Sequence, residues 1–146
     1  MQVEIQIDKN CREPKIVVIT DQMDERIREI VRRLSEEKPA VMAGFQGDAA
    51  EILDPDDIYR VYAANGKVYA ETSRGEYVLR MRLYEAEERL GADSFVRISN
   101  SEIINLKKVK NFDLSFAGVI CAMLSNGTVT YVSRRQVSKI KKILGI

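Results

Sequence analysis

The sequence contains no histidine, so it lacks the commonest general base and the commonest zinc ligand of proteins. Ser-His-Asp triads, Cys-His pairs and histidine-rich metal sites are therefore excluded. The group Asp54, Asp56 and Asp57 lacks the oxygen spacing of a calcium loop, and we expect it to cap a short turn. We accordingly expect a protein that is not an enzyme and that holds no metal or cofactor.

Cysteine and long apolar runs are also scarce. Cys11 and Cys121 are the only two cysteines and have no CxxC spacing, and Cys121 lies in an apolar strand, where we expect a core residue. The chain does not begin with the charged and then apolar residues of a signal peptide. Its apolar runs, such as residues 15–20, are much shorter than the ~20 residues that a membrane span requires. We therefore expect a soluble protein in a reducing, cytoplasmic compartment.

The charge is small in total but unevenly distributed. The net charge is +1, yet residues 97–146 carry nine basic and two acidic residues, whereas residues 1–96 carry 14 basic and 20 acidic ones. An acidic N-terminal part joined to a basic C-terminal part is typical of a chain that binds a polyanion through the basic part. Charge alone leaves chance surface variation as an alternative.

The first 38 residues predict a β-β-α segment. Apolar and polar residues alternate over residues 3–7, residues 15–20 form a second strand-like run, and a helix follows, capped by Thr20 or Asp21 and ended by Pro39. The apolar face of this helix comprises Met23, Ile27, Ile30, Val31 and Leu34. We interpret residues 1–38 as a dimerisation or regulatory segment, because that face needs a partner.

Residues 39–146 predict a second domain of the α+β class, mainly β, made of short antiparallel strands with a closing C-terminal helix. The expected strands are residues 40–46, 59–64, 67–72, 76–81, 95–98, 109–116, 119–124 and 128–132. Asn65-Gly66 marks a tight hairpin, and Gly91 ends a helix over residues 83–90. Residues 99–106 read as irregular. Ser133 and Gln136 form a capping box for the last helix.

Two arginines stand at the opening turn of this basic last helix, in Ser133-Arg134-Arg135-Gln136. Positive charge there opposes the helix dipole, so another function should justify it. A guanidinium at this place can donate two hydrogen bonds to guanine, and the neighbouring amides can bind a phosphate. The alternative is a pair of solvated surface arginines.

A polar loop, Arg97-Ile98-Ser99-Asn100-Ser101-Glu102, carries the second candidate. Asparagine pairs with adenine through two hydrogen bonds, and serine reaches phosphates. The alternative is that these residues form a turn by bonding their own backbone.

The run FVRISNSEIINLKKV at residues 95–109 resembles the LytTR signature, F-x-R-[polar]-H-x-S followed by an acidic or aromatic residue and then I/V-V-N. The end of the chain, from Asn126-Gly127 through the arginine pair to the closing helix, is similar to that family's ending. Asp56-Asp57-Ile58-Tyr59 resembles its opening. The likeness covers about residues 42–146.

This resemblance implies a bacterial transcription regulator that grips double-stranded DNA through loops entering successive major grooves, without a recognition helix. The base-reading loops would lie at residues 65–67, at Ser99-Asn100 and at Arg134-Arg135. Serine replaces the usual family histidine at position 99 and reaches less far. The expected DNA-binding residues are Asn65, Lys67, Arg97, Ser99, Asn100, Ser101, Lys107, Ser133, Arg134, Arg135 and Lys139.

The resemblance also bears on partners. Most family members carry a receiver domain in front, whereas this chain has only the 38-residue segment, which implies a stand-alone regulator. Such regulators include short proteins restrained by small membrane proteins. We expect a homodimer that reads repeated half-sites. The alternative is a protein-interaction or ligand-sensing module that does not bind DNA.

Overall fold

The computed structural model describes residues 1–35 and 41–146. By its internal contacts the chain divides into two compact units, Met1–Lys38 and Pro39–Ile146. Each unit is described separately. Within the described ranges, no helix is long and apolar enough to cross a membrane.

Within residues 1–35, the first unit has one helix, α1 (Glu25–Ser35). Asp24 caps it, because its Oδ1 accepts a hydrogen bond from the Ile27 backbone N at 2.9 Å. The prediction that Thr20 or Asp21 caps the helix is therefore wrong, and the Thr20 hydroxyl instead donates to the Gln22 carbonyl. The predicted end at Pro39 lies outside the described residues. Ile27 is the buried member of the predicted apolar face.

The two predicted N-terminal strands are wrong. Residues 1–24 contain no strand, and Val3, Ile5 and Ile7 are each more than 80% exposed. Alternation makes a segment suitable for one face of a sheet, but a strand forms only when another strand satisfies its backbone groups. An isolated pair of strands with no apolar face to cover is marginal in water. The β-β-α prediction thus holds for its helix alone.

The second unit has two antiparallel sheets. The larger sheet has the order β2-β1-β5-β4-β3-β7-β6, and the smaller one has the order β10-β9-β8. The strands are β1 (Met42–Gln46), β2 (Ala49–Leu53), β3 (Ile58–Ala64), β4 (Lys67–Thr72), β5 (Gly75–Leu79), β6 (Phe95–Ser99), β7 (Glu102–Asn105), β8 (Val109–Asp113), β9 (Ile120–Leu124) and β10 (Val129–Val132). The helices are α2 (Leu83–Leu90) and α3 (Arg134–Leu144). The predicted mainly-β class is confirmed, although β2 and β7 were missed.

The turn residues explain where several elements begin and end. Asn65 (φ 53°) and Gly66 (φ 74°) both have positive φ in the β3–β4 hairpin, which is the conformation that Asn-Gly favours. Gly91 (φ 74°) ends α2 as predicted. Asp54 accepts a hydrogen bond from the Asp56 backbone N at 2.9 Å and caps a 3-10 turn, also as predicted.

Two apolar clusters hold the second unit together. The larger lies on the seven-stranded sheet and includes Leu83 and Ala86 of α2. The smaller joins β6 and β7 to the three-stranded sheet and to α3, whose Ile140 is fully buried. Its other buried members are Val96, Ile98, Ile104, Ile120, Ala122 and Val132. Because this cluster packs α3 against β6, it fixes where the arginine pair stands.

Candidate nucleic-acid interface

Two of the predicted loops are neighbours at one end of the larger sheet. β3 runs towards the Asn65-Gly66 turn, and β7 runs away from the turn between β6 and β7. The strands pair antiparallel, with Tyr62 opposite Glu102. The backbone N of Ala63 donates to the Ser101 carbonyl at 2.8 Å. The β3–β4 and β6–β7 turns therefore lie side by side.

The third predicted loop, at the start of α3, lies next to the β6–β7 turn. The backbone N of Ser133 donates to the carbonyl of Ile98 at 2.8 Å, so the start of α3 is fastened next to Ser99. We call the set of residues 65–67, 99–101 and 133–135 the loop edge. Sequence separation between its parts exceeds 30 residues, and the fold brings all three together.

Asn100 presents its side chain at the tip of the β6–β7 turn. It is exposed, and within the described chain its amide group has no hydrogen-bond partner. Ser99 stabilises the turn instead, because its hydroxyl accepts a hydrogen bond from the Ser101 backbone N at 3.2 Å and lies 3.4 Å from the Ser101 hydroxyl. The turn-forming role thus belongs to Ser99, and the Asn100 amide is available to a ligand.

Arg97 braces this turn from within the protein. Its Nε donates to the Ser99 carbonyl and its Nη2 to the Asn100 carbonyl, both at 2.7 Å. Its Nη1 lies 3.6 Å from a carboxylate oxygen of Glu87 on α2. These contacts make Arg97 a positioning residue. Direct contact between Arg97 and DNA stays a prediction.

The basic residues of α3 are open to solvent. Arg134, Arg135 and Lys139 are exposed, and none of them forms an ion pair with a described carboxylate. Ser133 occupies the N-cap position, but its side chain makes no capping hydrogen bond, so the predicted capping box is wrong. The Gln136 backbone N donates to the Ser133 carbonyl at 2.9 Å instead, and the Ser133 hydroxyl has no hydrogen-bond partner among the described residues.

The remaining predicted residues divide between the two ends of the sheet. Asn65 and Lys67 are exposed in the β3–β4 hairpin, on the loop edge. Lys107 follows β7 at the opposite end, where its Nζ lies 3.9 Å from Asp56 Oδ1. The structure therefore does not bring Lys107 together with the three loops.

A polar network that sequence reasoning missed lies across the strands that carry these loops. Arg60 on β3 donates to Glu71 on β4 at 2.5 Å and to Glu102 on β7 at 2.9 Å. Glu71 also accepts hydrogen bonds from Asn126 and Thr128, and Glu102 accepts one from the buried Thr130. The network ties the larger sheet to the β9–β10 hairpin.

The network perturbs the ionisation of Glu71. Burial alone raises the pKa of this carboxyl, but the hydrogen bonds from Thr128, Arg60 and Asn126 together outweigh burial and hold its pKa below the ordinary value of 4.5. Glu71 is therefore a carboxylate at neutral pH. Its charge and that of Glu102 face Arg60, so this arginine is neutralised inside the protein.

The sequence matches the family described as LytTr DNA-binding domain over residues 48–145. The chain belongs to this family. LytTr domains form a DNA-binding family and not an enzyme family. The predicted membership in the LytTR family is thus confirmed.

Relatives that resemble the whole chain come from Staphylococcus aureus. A protein of strain NCTC 8325 and one of strain COL, both described as HTH-type transcriptional regulators, are each 30% identical over 147 residues. The matches cover 100% of this chain and 99% of each relative. A solved LytTr DNA-binding domain from Bacillus cereus has the same fold, with a TM-score of 0.69 and 23% identity. The structural match covers 73% of this chain and 98% of the solved domain.

The staphylococcal description and the fold differ in one respect. A helix-turn-helix needs two consecutive helices joined by a short turn. Among the described residues of this LytTr protein, β1 to β5 separate α1 from α2, and β6 to β10 separate α2 from α3. No such motif occurs in that part of the chain.

Proposed function

We propose that this chain regulates transcription by binding double-stranded DNA at specific sequences, with its loop edge inserted into successive major grooves. One observation carries the proposal. Three loops from distant parts of the sequence meet at one end of the sheet, and Asn100 and Arg135 point exposed, unpartnered side chains from that end. Family membership and the regulatory descriptions of the staphylococcal relatives support it.

Each loop has a chemistry suited to DNA. The free amide of Asn100 can donate to and accept from adenine, and the guanidinium of Arg135 can donate two hydrogen bonds to guanine. Arg134 and Lys139 are suited to phosphates, and the free Ser133 hydroxyl can donate to either phosphate or base. Asn65 and Lys67 provide a further donor set from the β3–β4 turn.

The polar network and Arg97 serve this surface by holding it rigid. Arg97 fixes the carbonyls of the β6–β7 turn, and Arg60 clamps the strands that carry the β3–β4 and β6–β7 turns. A site that is already ordered loses less entropy on binding. We infer that both arginines support DNA binding by keeping the loops in place.

We further propose that the chain works as a homodimer on repeated half-sites, with the first unit as the dimerisation element. Its helix α1 carries Val31 and Leu34 with exposed fractions of 40% and 53%, and Met23, 58% exposed, lies just before the helix. Apolar surface of this kind favours burial against a partner. A small membrane protein that restrains the regulator would be a competing partner for the same face.

Selection of bound duplexes from a random oligonucleotide pool tests the proposal. We expect enrichment of one motif, repeated with a fixed spacing. A gel-shift titration should then show tighter binding to the selected duplex than to a scrambled duplex of equal length. No enrichment, together with equal weak binding of both duplexes, would favour the alternative of an interaction or ligand-sensing module.

A further inference from the structure

A groove of about 1250 Å³ opens beside the β3–β4 turn. Its lining includes Lys67 at the start of β4, Arg80 just after β5, and Arg82 just before α2. Arg97, which braces the β6–β7 turn, also lines it. The groove is therefore continuous with the β3–β4 turn of the loop edge, and Arg97 links it to the β6–β7 turn.

Three of these cations are not neutralised by the protein. Lys67, Arg80 and Arg82 are exposed, and none forms an ion pair with any carboxylate in residues 1–35 and 41–146. Glu85 also lines the groove, but its Oε1 accepts from the Arg82 backbone N at 3.3 Å, at the start of α2. The groove therefore has a surplus of positive charge.

The sheet register sharpens this surplus. Val68 pairs with Leu79 at this end of the β4–β5 hairpin, and Lys67 and Arg80 are the residues that flank this last pair. Like charges held close together repel each other. An anion bound between the two side chains would remove that repulsion.

Arg80 is also held in a defined place. Its guanidinium carbon lies 3.8 Å above the centre of the Phe45 ring on β1. Stacking on an aromatic face orients the planar guanidinium while its N–H groups at the rim stay free to donate. This arrangement suits a phosphate better than a mobile surface arginine does.

We propose that the groove holds the DNA backbone, with Arg80 and Arg82 each donating to a phosphate beside the bases that the loop edge reads. This inference rests on the proposed function and adds two binding residues to it. Both lie outside the LytTR signature and outside the basic C-terminal third of the chain. They stand at the end of β5 that adjoins the loop edge, so one duplex can contact both surfaces.

The salt dependence of binding tests the proposal in the full-length protein. Affinities of Arg80→Gln, Arg82→Gln and the double variant are measured between 50 and 200 mM salt, on the selected duplex and on a scrambled duplex. Arg74→Gln is the matched control. Arg74 lies at the opposite end of the same β4–β5 hairpin. Six residues separate it from Arg80, which is about 20 Å at about 3.3 Å per residue of strand. Its Nη1 lies 3.5 Å from Glu51 Oε2, so its charge is already paired within the protein.

Affinity falls as salt rises, and each lost phosphate contact should make the slope of log affinity against log salt shallower by about 0.9. The loss of affinity should therefore be about 3.5-fold larger at 50 mM than at 200 mM for each single variant, and about 12-fold larger for the double variant. Both duplexes should be affected equally, because phosphates carry no sequence information. Arg74→Gln should keep the wild-type slope.

Slopes of Arg80→Gln and Arg82→Gln that match the slope of Arg74→Gln would overturn this inference while leaving the proposed function intact. A loss confined to the selected duplex would also overturn it, because that result indicates a base contact. Failure of the wild-type protein to bind either duplex would instead overturn the proposed function, and this inference with it.

Discussion

Replacing Asn105 with alanine should destabilise the second unit by about 2 to 4 kcal/mol. Asn105 is fully buried, its Nδ2 donates to the Ile58 carbonyl at 2.9 Å, and its Oδ1 accepts from the Lys107 backbone N at 3.0 Å. Each hydrogen bond contributes about 1 kcal/mol net, and a buried polar group that loses its partner costs about 1 to 3 kcal/mol more. Alanine removes both bonds and leaves a small cavity.

Urea denaturation followed by circular dichroism measures this loss. Asn111→Ala is the control, because Asn111 is an exposed asparagine on β8 for which we expect a change within about 0.5 kcal/mol. Asn105 lies at the end of β7 away from the loop edge, so the ratio of affinities for selected and scrambled DNA should stay unchanged. Equal unfolding midpoints for the two variants would refute the assigned role of Asn105.

Three further predictions concern the loop edge, the polar network and the first unit. Asn100→Ala should weaken binding to selected DNA by about 1 to 3 kcal/mol without changing the melting temperature; a lower melting temperature with unchanged specificity would return Asn100 to a turn-forming role. Glu71→Gln should lower the free energy of unfolding by about 2 kcal/mol at pH 7. Since the folded-state pKa of Glu71 is below 4.5, its stabilising effect exists above pH 4.5 and is lost as the pH falls through the folded value, so wild type and variant should converge in acid. A constant difference between them down to pH 2 would contradict this. Removal of residues 1–38 should leave a folded monomer, because every residue of the two apolar clusters lies in the second unit, and sedimentation that finds a dimeric truncation would contradict that.

Local signals in the sequence were sufficient for much of the second unit. β4 and α2 begin and end where predicted, because Asn65-Gly66 permits a tight hairpin and Gly91 stops the helix. β2 was missed because Ala49, Ala50 and Glu51 have low strand propensity. β7 was missed because the serines before it suggest a loop.

The N-terminal strands and the polar network failed for a different reason. Alternation of apolar and polar residues makes a segment suitable for one face of a sheet. A strand forms only when a second strand pairs with it, and residues 1–24 form no strand. The network joins residues up to 57 positions apart, from Glu71 to Thr128. Its formation depends on strand order, which local pattern does not contain.

In the candidate site, too, local features could be predicted from the sequence, whereas features that depend on strand pairing could not. Its individual loops were placed through the family resemblance, and their residues are exposed as a ligand site requires. Their meeting at one end of the sheet depends on the pairing of β3 with β7 and on the bond from Ser133 to Ile98. The unneutralised groove at Arg80 and Arg82 depends on the β4–β5 register and had no signal in the sequence that set it apart from other charged turns.

The central claim is that the loop edge reads bases, and comparison of Arg135→Ala with Lys141→Ala tests it most directly. Both residues are exposed on α3, but Arg135 stands in its first turn on the loop edge, whereas Lys141 lies near its end. Titration of each variant against the selected duplex, its single-base variants and scrambled DNA measures the change in specificity. We expect Arg135→Ala to lose about 1 to 3 kcal/mol on the selected duplex and to tolerate any base at one position, while Lys141→Ala weakens binding to all duplexes equally. Equal weakening of selected and scrambled DNA by both changes would show that Arg135 contacts only the backbone, which would contradict the claim.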